Sequence, residues 1–121
     1  MANTFKVATF AAEPASAGTP YVMYTIAGST TGVVLGLILT NIHSSAVTAE
    51  VELVSTTANR SVANNTANGT SFLIKDVTIP AGSSLEILSG GKVVLETGDV
   101  LRVDCSVADK LSGTLSLMDI T

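Results

Sequence analysis

Two segments of the chain alternate apolar and polar residues without a break, and this period of two limits what the chain can fold into. The segments are residues 47–53 (VTAEVEL) and 101–107 (LRVDCSV). Successive side chains of a β-strand point to opposite faces, so each segment predicts a strand with one buried face. The predicted buried side chains are Val47, Ala49, Val51, Leu53, Leu101, Val103, Cys105 and Val107. The alternate positions, which we expect to face solvent or a neighbouring subunit, are Glu50, Glu52, Arg102 and Asp104.

Most other apolar residues also fall in segments of strand length. Residues 33–42 are apolar on both faces, which indicates a central strand covered on both sides, or on one side by a partner chain. A buried helix is the alternative, but Gly36 and the β-branched residues disfavour it. Further strands are predicted at residues 4–11, 20–27, 71–79, 84–88, 92–96 and 114–120. The apolar phase slips by one residue near Lys75 and Asp76, which predicts a β-bulge or a corner there.

Turn residues separate these segments. Residues 80–83, 89–91 and 97–99 each contain glycine where two strands must reverse direction. A spacing of about eight to twelve residues favours an antiparallel β-sandwich, jelly-roll-like or related, of about eight strands. With 121 residues, the chain predicts one domain spanning residues 1–121 with an N-terminal arm.

One segment lacks the period of two. Residues 55–70 (STTANRSVANNTANGT) are rich in Asn and Thr and almost free of large apolar side chains. Because such a segment buries little apolar surface, it predicts a long exposed loop. The loop is either the flexible tip of a β-hairpin or an arm that becomes ordered against a neighbouring subunit. In the second case, the predicted intersubunit contacts are Asn59, Arg60, Asn64, Asn65 and Asn68.

Charged residues are few and dispersed. They make up 13% of the chain, with a net charge of −4, against about 25% in a typical soluble domain. Nucleic-acid binding depends on clustered cations, whereas the six Lys and Arg residues occur singly. A surface of uncharged polar residues resembles that of a protein packed among copies of itself. We therefore expect a homo-oligomer with no nucleic-acid partner.

The N-terminal residues show no basic stretch followed by an apolar one, the pattern of a signal peptide. The most apolar run, residues 33–42, has about half the length needed to cross a bilayer. We expect synthesis in a reducing cytoplasm, where the single Cys105 has no intrachain disulfide partner. No membrane partner is expected.

Few residues are candidates for catalysis. His43 is the only imidazole and could pair with Cys105 as a thiol–imidazole dyad, but Cys105 falls on a buried strand face, where it behaves as a small hydrophobic residue. Glu50 and Glu52 lie about 7 Å apart on one strand face. That distance is compatible with glycosidase chemistry, although strand solubility explains the pair better. One Cys and one His cannot complete a zinc site. We predict no catalytic residue, no metal, no cofactor and no enzymatic activity.

The C-terminal half shows a distinctive order of strands and turns. Residues 77–88 (VTIPAGSSLEIL) and 90–103 (GGKVVLETGDVLRV) resemble the IPAG-S-LE-L-GGK-VLE-GD-LRV pattern of small β-sandwich virion proteins of tailed bacteriophages, including cyanophages. The resemblance extends over residues 70–121. It implies a structural role in the capsid, neck or tail, and it implies no catalytic residues.

The resemblance leads to a structural protein of the virion, most specifically a capsid decoration or cement protein. Such a protein would stabilise the head by bridging neighbouring subunits, with the major capsid protein or other virion proteins as partners. The alternative is a neck, tail or fibre-attachment protein. A second alternative is a carbohydrate-binding β-sandwich for host attachment. Sugar-binding platforms usually need exposed aromatic rings, and the aromatic residues here are Phe5, Phe10, Tyr21, Tyr24 and Phe72.

Overall fold

The computed structural model describes residues 2–55, 69–88 and 90–121, and over these residues the chain forms two antiparallel sheets. In chain order the strands are β1 (Asn3–Glu13), β2 (Tyr21–Thr25), β3 (Thr31–Asn41), β4 (Val47–Ser55), β5 (Gly69–Ile79), β6 (Ser84–Glu86), β7 (Val93–Leu95), β8 (Val100–Cys105) and β9 (Leu111–Ile120). Sheet A has the order β1-β9-β3-β6, with β7 also paired to β3, and sheet B has the order β2-β8-β4-β5. The predicted all-β, antiparallel sandwich is confirmed, with nine strands in the described residues.

The core lies between the inner faces of the two sheets. The period-two segments form β4 and β8, which pair side by side in sheet B. Of their predicted buried residues, Val47, Ala49, Val51, Leu101, Val103 and Cys105 are buried, while Leu53 and Val107 are partly buried against the core. Sheet A contributes fully buried side chains from its two central strands, Val34, Leu37, Leu39, Leu111, Leu115 and Leu117.

Strand β3 carries apolar side chains on both faces, but only one of these faces packs in the core. Its inward residues, Leu37 and Leu39, are fully buried. Its outward Ile38 remains 43% exposed, and Val33 is only partly buried. Within this single chain the described residues therefore cover one face of β3. Cover of the other face by a partner chain stays a prediction.

The phase slip in β5 is a β-bulge, as predicted. Between Ala49 and Val51 the paired residue on β5 changes from Val77 to Ile74, so two residues of β5 lie opposite Glu50 alone. Asp76 has a positive φ of 51°, a conformation that Asp tolerates better than most residues. The bulge shifts the side-chain phase without ending the strand.

Two charged residues that the alternation predicted to face solvent or a neighbouring subunit are instead buried within the chain itself, which corrects the expected exposure to solvent. Glu52 is 6% exposed and Asp104 is 9% exposed, although both lie on the outer face of sheet B. Glu52 accepts a hydrogen bond of 3.0 Å from Nε of Arg102, its neighbour on β8. Asp104 accepts hydrogen bonds from the backbone N–H groups of Gly18 and Cys105, at 3.2 and 2.8 Å. Such partners compensate the loss of water that burial of a carboxylate entails.

The N-terminal segment, expected to include an arm, forms strand β1 at the edge of sheet A. Its residues from Asn3 to Phe10 pair regularly with β9, and the register shifts only between Phe10 and Glu13. Among the described residues no helix has the length and apolar character needed to cross a membrane.

Candidate functional site

The outer face of sheet A carries large apolar side chains in solvent. Phe5 of β1 is paired with Met118 of β9, Met118 with Val33 of β3, and Val33 with Val94 of β7. Side chains at directly paired positions lie on the same face, so these four form one apolar row across the sheet. Phe5 is 74% exposed and Val94 is 62% exposed.

Two neighbouring positions extend this row: Val7 of β1 is 64% exposed, and Ile120 is partly buried at the end of β9. Ile38 of β3, 43% exposed, lies further along the same face, beyond Gly36. We call this set the apolar face: Phe5, Val7, Val33, Ile38, Val94, Met118 and Ile120. An antiparallel sheet with one solvated face normally carries polar residues there. A continuous exposed apolar patch instead marks an interaction surface.

The apolar face is almost free of charge. Between its apolar side chains, strand register places Thr9, Ser116 and Thr114. Glu86 of β6, opposite Ile38, is the one charged residue that the register of the described strands places on this face. A complementary partner surface would therefore be apolar and uncharged as well.

The outer face of sheet B has the opposite character. Nζ of Lys75 lies 3.2 Å from Oε1 of Glu50 and 4.5 Å from the ring centroid of Phe72. Arg102 forms an ion pair with Glu52. Over the described residues, the two outer faces of the sandwich thus differ in chemistry: that of sheet A is exposed and almost uncharged, whereas that of sheet B carries ion pairs. The carboxylates of Glu50 and Glu52, considered above as a glycosidase pair, each have a cation of their own.

The residues considered for a thiol–imidazole dyad lie in different parts of the sandwich. His43 follows the last residue of β3, and its backbone N–H donates a hydrogen bond of 2.7 Å to Oδ1 of Asn41. Cys105 is the last residue of β8 in sheet B and is 3% exposed. The described residues that line a cavity with Cys105 do not include His43.

That cavity has a volume of about 360 Å³ and lies beside the bulge of β5. Its acidic lining residues are Glu50, Asp76 and Asp104. Glu50 is bound to Lys75, and Asp104 accepts two backbone hydrogen bonds. Among the described residues, no group of three or more His, Cys, Asp and Glu side chains is placed to hold a metal ion.

A polar cluster joins the two sheets at the edge formed by β1 and β2. The hydroxyl of Tyr24 donates a hydrogen bond of 2.6 Å to Oδ2 of Asp119, and Nζ of Lys6 lies 2.9 Å from the same oxygen. Asp119 is 4% exposed, and its Oδ1 is buried without a hydrogen-bond partner among the described residues. Sequence reasoning missed this cluster, because Asp119 lies 95 residues from Tyr24 along the chain.

The cluster shifts the pKa of each member. Burial alone would raise the pKa of Asp119, but the hydrogen bonds from Tyr24 and Lys6 and the charge of Lys6 outweigh it and lower the pKa below its usual 3.8. Burial and the hydrogen bond to Asp119 raise the pKa of Tyr24. The hydrogen bond to Asp119 raises the pKa of Lys6. Each shift favours the ion pair and the neutral phenol at neutral pH.

The aromatic residues do not share a platform. Phe10 and Tyr21 form an edge-to-face pair with centroids 5.2 Å apart, and Phe10 is buried in the core. Tyr24 is bound to Asp119. The two exposed rings, Phe5 and Phe72, lie on the outer faces of different sheets.

The loop contacts predicted from composition, Asn59, Arg60, Asn64, Asn65 and Asn68, lie outside the described residues. The ends of that segment are strands: Ser55 closes β4, and Gly69 opens β5 opposite it. The predicted contacts of the loop therefore stay predictions.

No family model matches the chain, and no curated protein matches it either. Among solved structures, a similarity was found to a protein of Bacillus endospore appendages, described as a family of disulfide-linked pili. The two chains share 14% sequence identity with a TM-score of 0.48, over 99% of this chain and 87% of the other. This similarity concerns the fold alone.

Proposed function

We propose that the chain is a structural subunit of a virion, specifically a capsid decoration protein that attaches through the apolar face. The observation that carries the proposal is the continuous, nearly uncharged row from Phe5 to Val94 on the outside of sheet A. The phage setting rests on the resemblance of residues 70–121 to small virion proteins. The proposed role involves no chemical reaction.

The dimensions of the apolar face support this role. The outer face of sheet A, to which the apolar face belongs, is four strands wide. At about 4.8 Å per strand and about 33 Å along a ten-residue strand, its outline is roughly 600 Å². A standard protein interface buries about 800 Å² of accessible surface on each partner. Because a pleated surface has more accessible area than its outline, the face is large enough for one such interface.

The partner we propose for the apolar face is the major capsid protein. Binding would bury Phe5, Val7 and Val94, which are exposed in the free chain and do not belong to its core. Removing these apolar side chains from water favours binding. The charged outer face of sheet B, with its Lys75–Glu50 and Arg102–Glu52 pairs, would then remain towards solvent. This orientation stabilises the attached state by apolar burial and keeps the particle surface charged.

The copy number in virions tests the location. We expect the protein to co-sediment with purified virions from a culture that produces it, at hundreds of copies per particle when counted by quantitative mass spectrometry. A count of about six or twelve would match the symmetry of a neck or tail. It would replace the decoration role by the neck, tail or fibre-attachment alternative. Protein that stays wholly in the soluble fraction would contradict a virion role.

Two matched substitutions test the attachment face. Val94→Asp places a carboxylate on the apolar face, at a position that is 62% exposed and outside the core. Val22→Asp makes the same change at a 49% exposed position beside Arg102, on the outer face of sheet B. We expect Val94→Asp to reduce binding to particles at least about tenfold, a loss of about 1.4 kcal/mol, and Val22→Asp to bind like the wild type. Equal binding by both variants would contradict attachment through this face.

A further inference from the structure

The backbone of β1 has a free edge, and its geometry follows from the pairing with β9. Ala2 and Thr121 exchange both of their backbone hydrogen bonds, at 3.1 and 2.9 Å. In an antiparallel pair such hydrogen-bonded positions alternate with positions whose N–H and C=O groups point away from the partner. The register from Asn3 to Phe10 is unbroken. The groups of Asn3, Phe5, Val7 and Thr9 therefore point away from β9.

Strand β1 pairs with β9 alone among the described strands, so this edge has no partner there. The other edges are protected in ways that natural sheets use. Strands β6 and β7 have three residues each, β2 has five, and β5 carries two register shifts. Strand β1 is long and regular by comparison, and its free positions include two exposed apolar residues, Phe5 and Val7. A strand edge of this kind is a template for pairing with another strand.

We infer that β1 pairs antiparallel with β1 of a second copy of this chain, about a two-fold axis at Lys6. This arrangement deepens the assembly role proposed above, on which its biological meaning rests. It places Phe5 opposite Val7 of the second copy, twice by symmetry, and Asn3 opposite Thr9. Each of these residues presents free backbone groups, so every hydrogen-bonded position along the segment is matched.

The side chains of β1 favour a second copy in this register. Phe5 and Val7 are 74% and 64% exposed, and a direct aromatic–β-branched pair is among the favourable cross-strand contacts. An axis shifted to Val7 would instead place Phe5 opposite Thr9. The charge of Lys6 near the axis is compensated by Asp119, 2.9 Å away in the same chain. The pairing also joins the two apolar faces into one continuous surface.

The oligomeric state of the purified full-length chain tests the pairing. We expect a reversible dimer in sedimentation equilibrium between micromolar and millimolar concentrations. Val7→Pro removes an N–H that points away from β9, and proline is tolerated at such an edge position. It should weaken the dimer at least tenfold. Val7→Thr keeps the N–H and the branched shape, and it should dimerise within a few-fold of the wild type. A wild type that remains monomeric at about 1 mM would overturn the inference, since a dissociation constant of about 1 mM corresponds to an association free energy of only about −4.1 kcal/mol.

Cross-linking tests the register without relying on the proline variant. Chains carrying Phe5→Cys are mixed with chains carrying Val7→Cys and oxidised mildly, with the buried Cys105 unchanged in both. The proposed register brings the two new thiols opposite each other, so mixed dimers should dominate over Phe5→Cys or Val7→Cys homodimers. Predominant Val7→Cys homodimers would place the axis at Val7 and overturn the register. The absence of any cross-link would overturn the pairing.

The proposed dimer and the proposed attachment to particles can be tested independently of each other. Val94→Asp lies at the opposite side of sheet A from β1 and should leave the dimer intact. Loss of the dimer in this variant would show that copies meet through their faces, and it would overturn edge pairing. Failure to find the protein in virions would contradict the proposed function and leave the dimer measurement unaffected.

Discussion

At the scale of single residues, the contact between Gly113 and Phe10 shows how closely the core is packed at the β1 edge. Gly113 of β9 is paired with Phe10 of β1, and a Cβ at position 113 would overlap the buried ring of Phe10. The ring has little freedom to move, because it packs edge-to-face on Tyr21. The glycine is therefore required by the position of the ring.

Gly113→Ala should destabilise the fold by about 1–3 kcal/mol, the usual cost of overpacking a core. Gly36→Ala is the matched control, since a Cβ at position 36 would meet no atom within 4 Å. Its effect should stay within about 0.5 kcal/mol. Urea unfolding of both variants measures the difference. Equal stability of the two variants would contradict the packing described for Phe10.

The Lys6–Asp119–Tyr24 cluster makes the stability of the fold depend on pH in the acidic range. The pKa of Asp119 is lower in the folded chain than its usual 3.8, so the folded state favours the ionised carboxylate. The resulting stability is present above about pH 4 and is lost as the pH falls through the lowered pKa. Asp119→Asn should therefore be less stable than the wild type at pH 7, with a difference that narrows below pH 4.

Urea unfolding of the wild type and Asp119→Asn at several pH values measures this dependence. Lys6 is 47% exposed, so screening by solvent weakens its contribution. The hydrogen bond from Tyr24 is less exposed and should persist in high salt. A difference between the two proteins that stays constant from pH 7 to pH 3 would contradict the role of the Asp119 carboxylate.

At the scale of elements, Asn41 fixes the turn between β3 and β4. Its side chain is fully buried, and Nδ2 donates hydrogen bonds to the carbonyl oxygens of Ser45 and Ile79, at 3.0 and 2.9 Å. Its Oδ1 accepts the backbone N–H of His43. One amide side chain thus joins the end of sheet A to the end of β5 in sheet B.

Asn41→Asp should destabilise the chain by about 2–4 kcal/mol, because it removes both donated hydrogen bonds and buries a charge. His43→Ala is the control: the contact uses the backbone of His43, so the change should stay within about 0.5 kcal/mol. Thermal unfolding followed by circular dichroism compares them. A larger loss of stability from His43→Ala than from Asn41→Asp would show that the imidazole itself holds the turn, and it would contradict the role given to Asn41.

The strands could be predicted from the sequence because the period of two is a local property. Each segment predicted as a strand contains one, and the bulge at Lys75 and Asp76 was visible as a phase slip. Burial of Glu52 and Asp104 could not be predicted. It depends on partners brought together by strand pairing, such as Arg102 for Glu52.

The candidate site was predictable only in part. Apolar residues on both faces of residues 33–42 predicted a strand covered on both sides, or on one side by a partner chain, and Ile38 is exposed on the outer face of that strand. The contribution of β1 was missed, although its sequence holds a signal. Phe5 and Val7 are in one phase and Phe10 is in the other, so the strand is apolar on both faces. Which face is outward depends on pairing with β9, a non-local contact.

At the scale of the whole molecule, the two outer faces of the sandwich differ in what they offer a partner. Sheet A presents Phe5, Val7 and Val94 with almost no charge, while sheet B presents ion pairs. A subunit that uses one face for attachment and leaves the other in solvent requires such a difference. The open edge of β1 borders the apolar face and offers a second site of contact, in the plane of sheet A.

Hydroxyl-radical footprinting tests this account most directly, because two phenylalanines report on the two faces. Phe5 is 74% exposed on sheet A and Phe72 is 43% exposed on sheet B. In the dilute, isolated chain both rings should be labelled. In the assembled particle, we predict that Phe5 and Met118 are protected while Phe72 is labelled as before. Labelling of Phe5 that does not change on assembly, or protection of Phe72 in its place, would contradict the account.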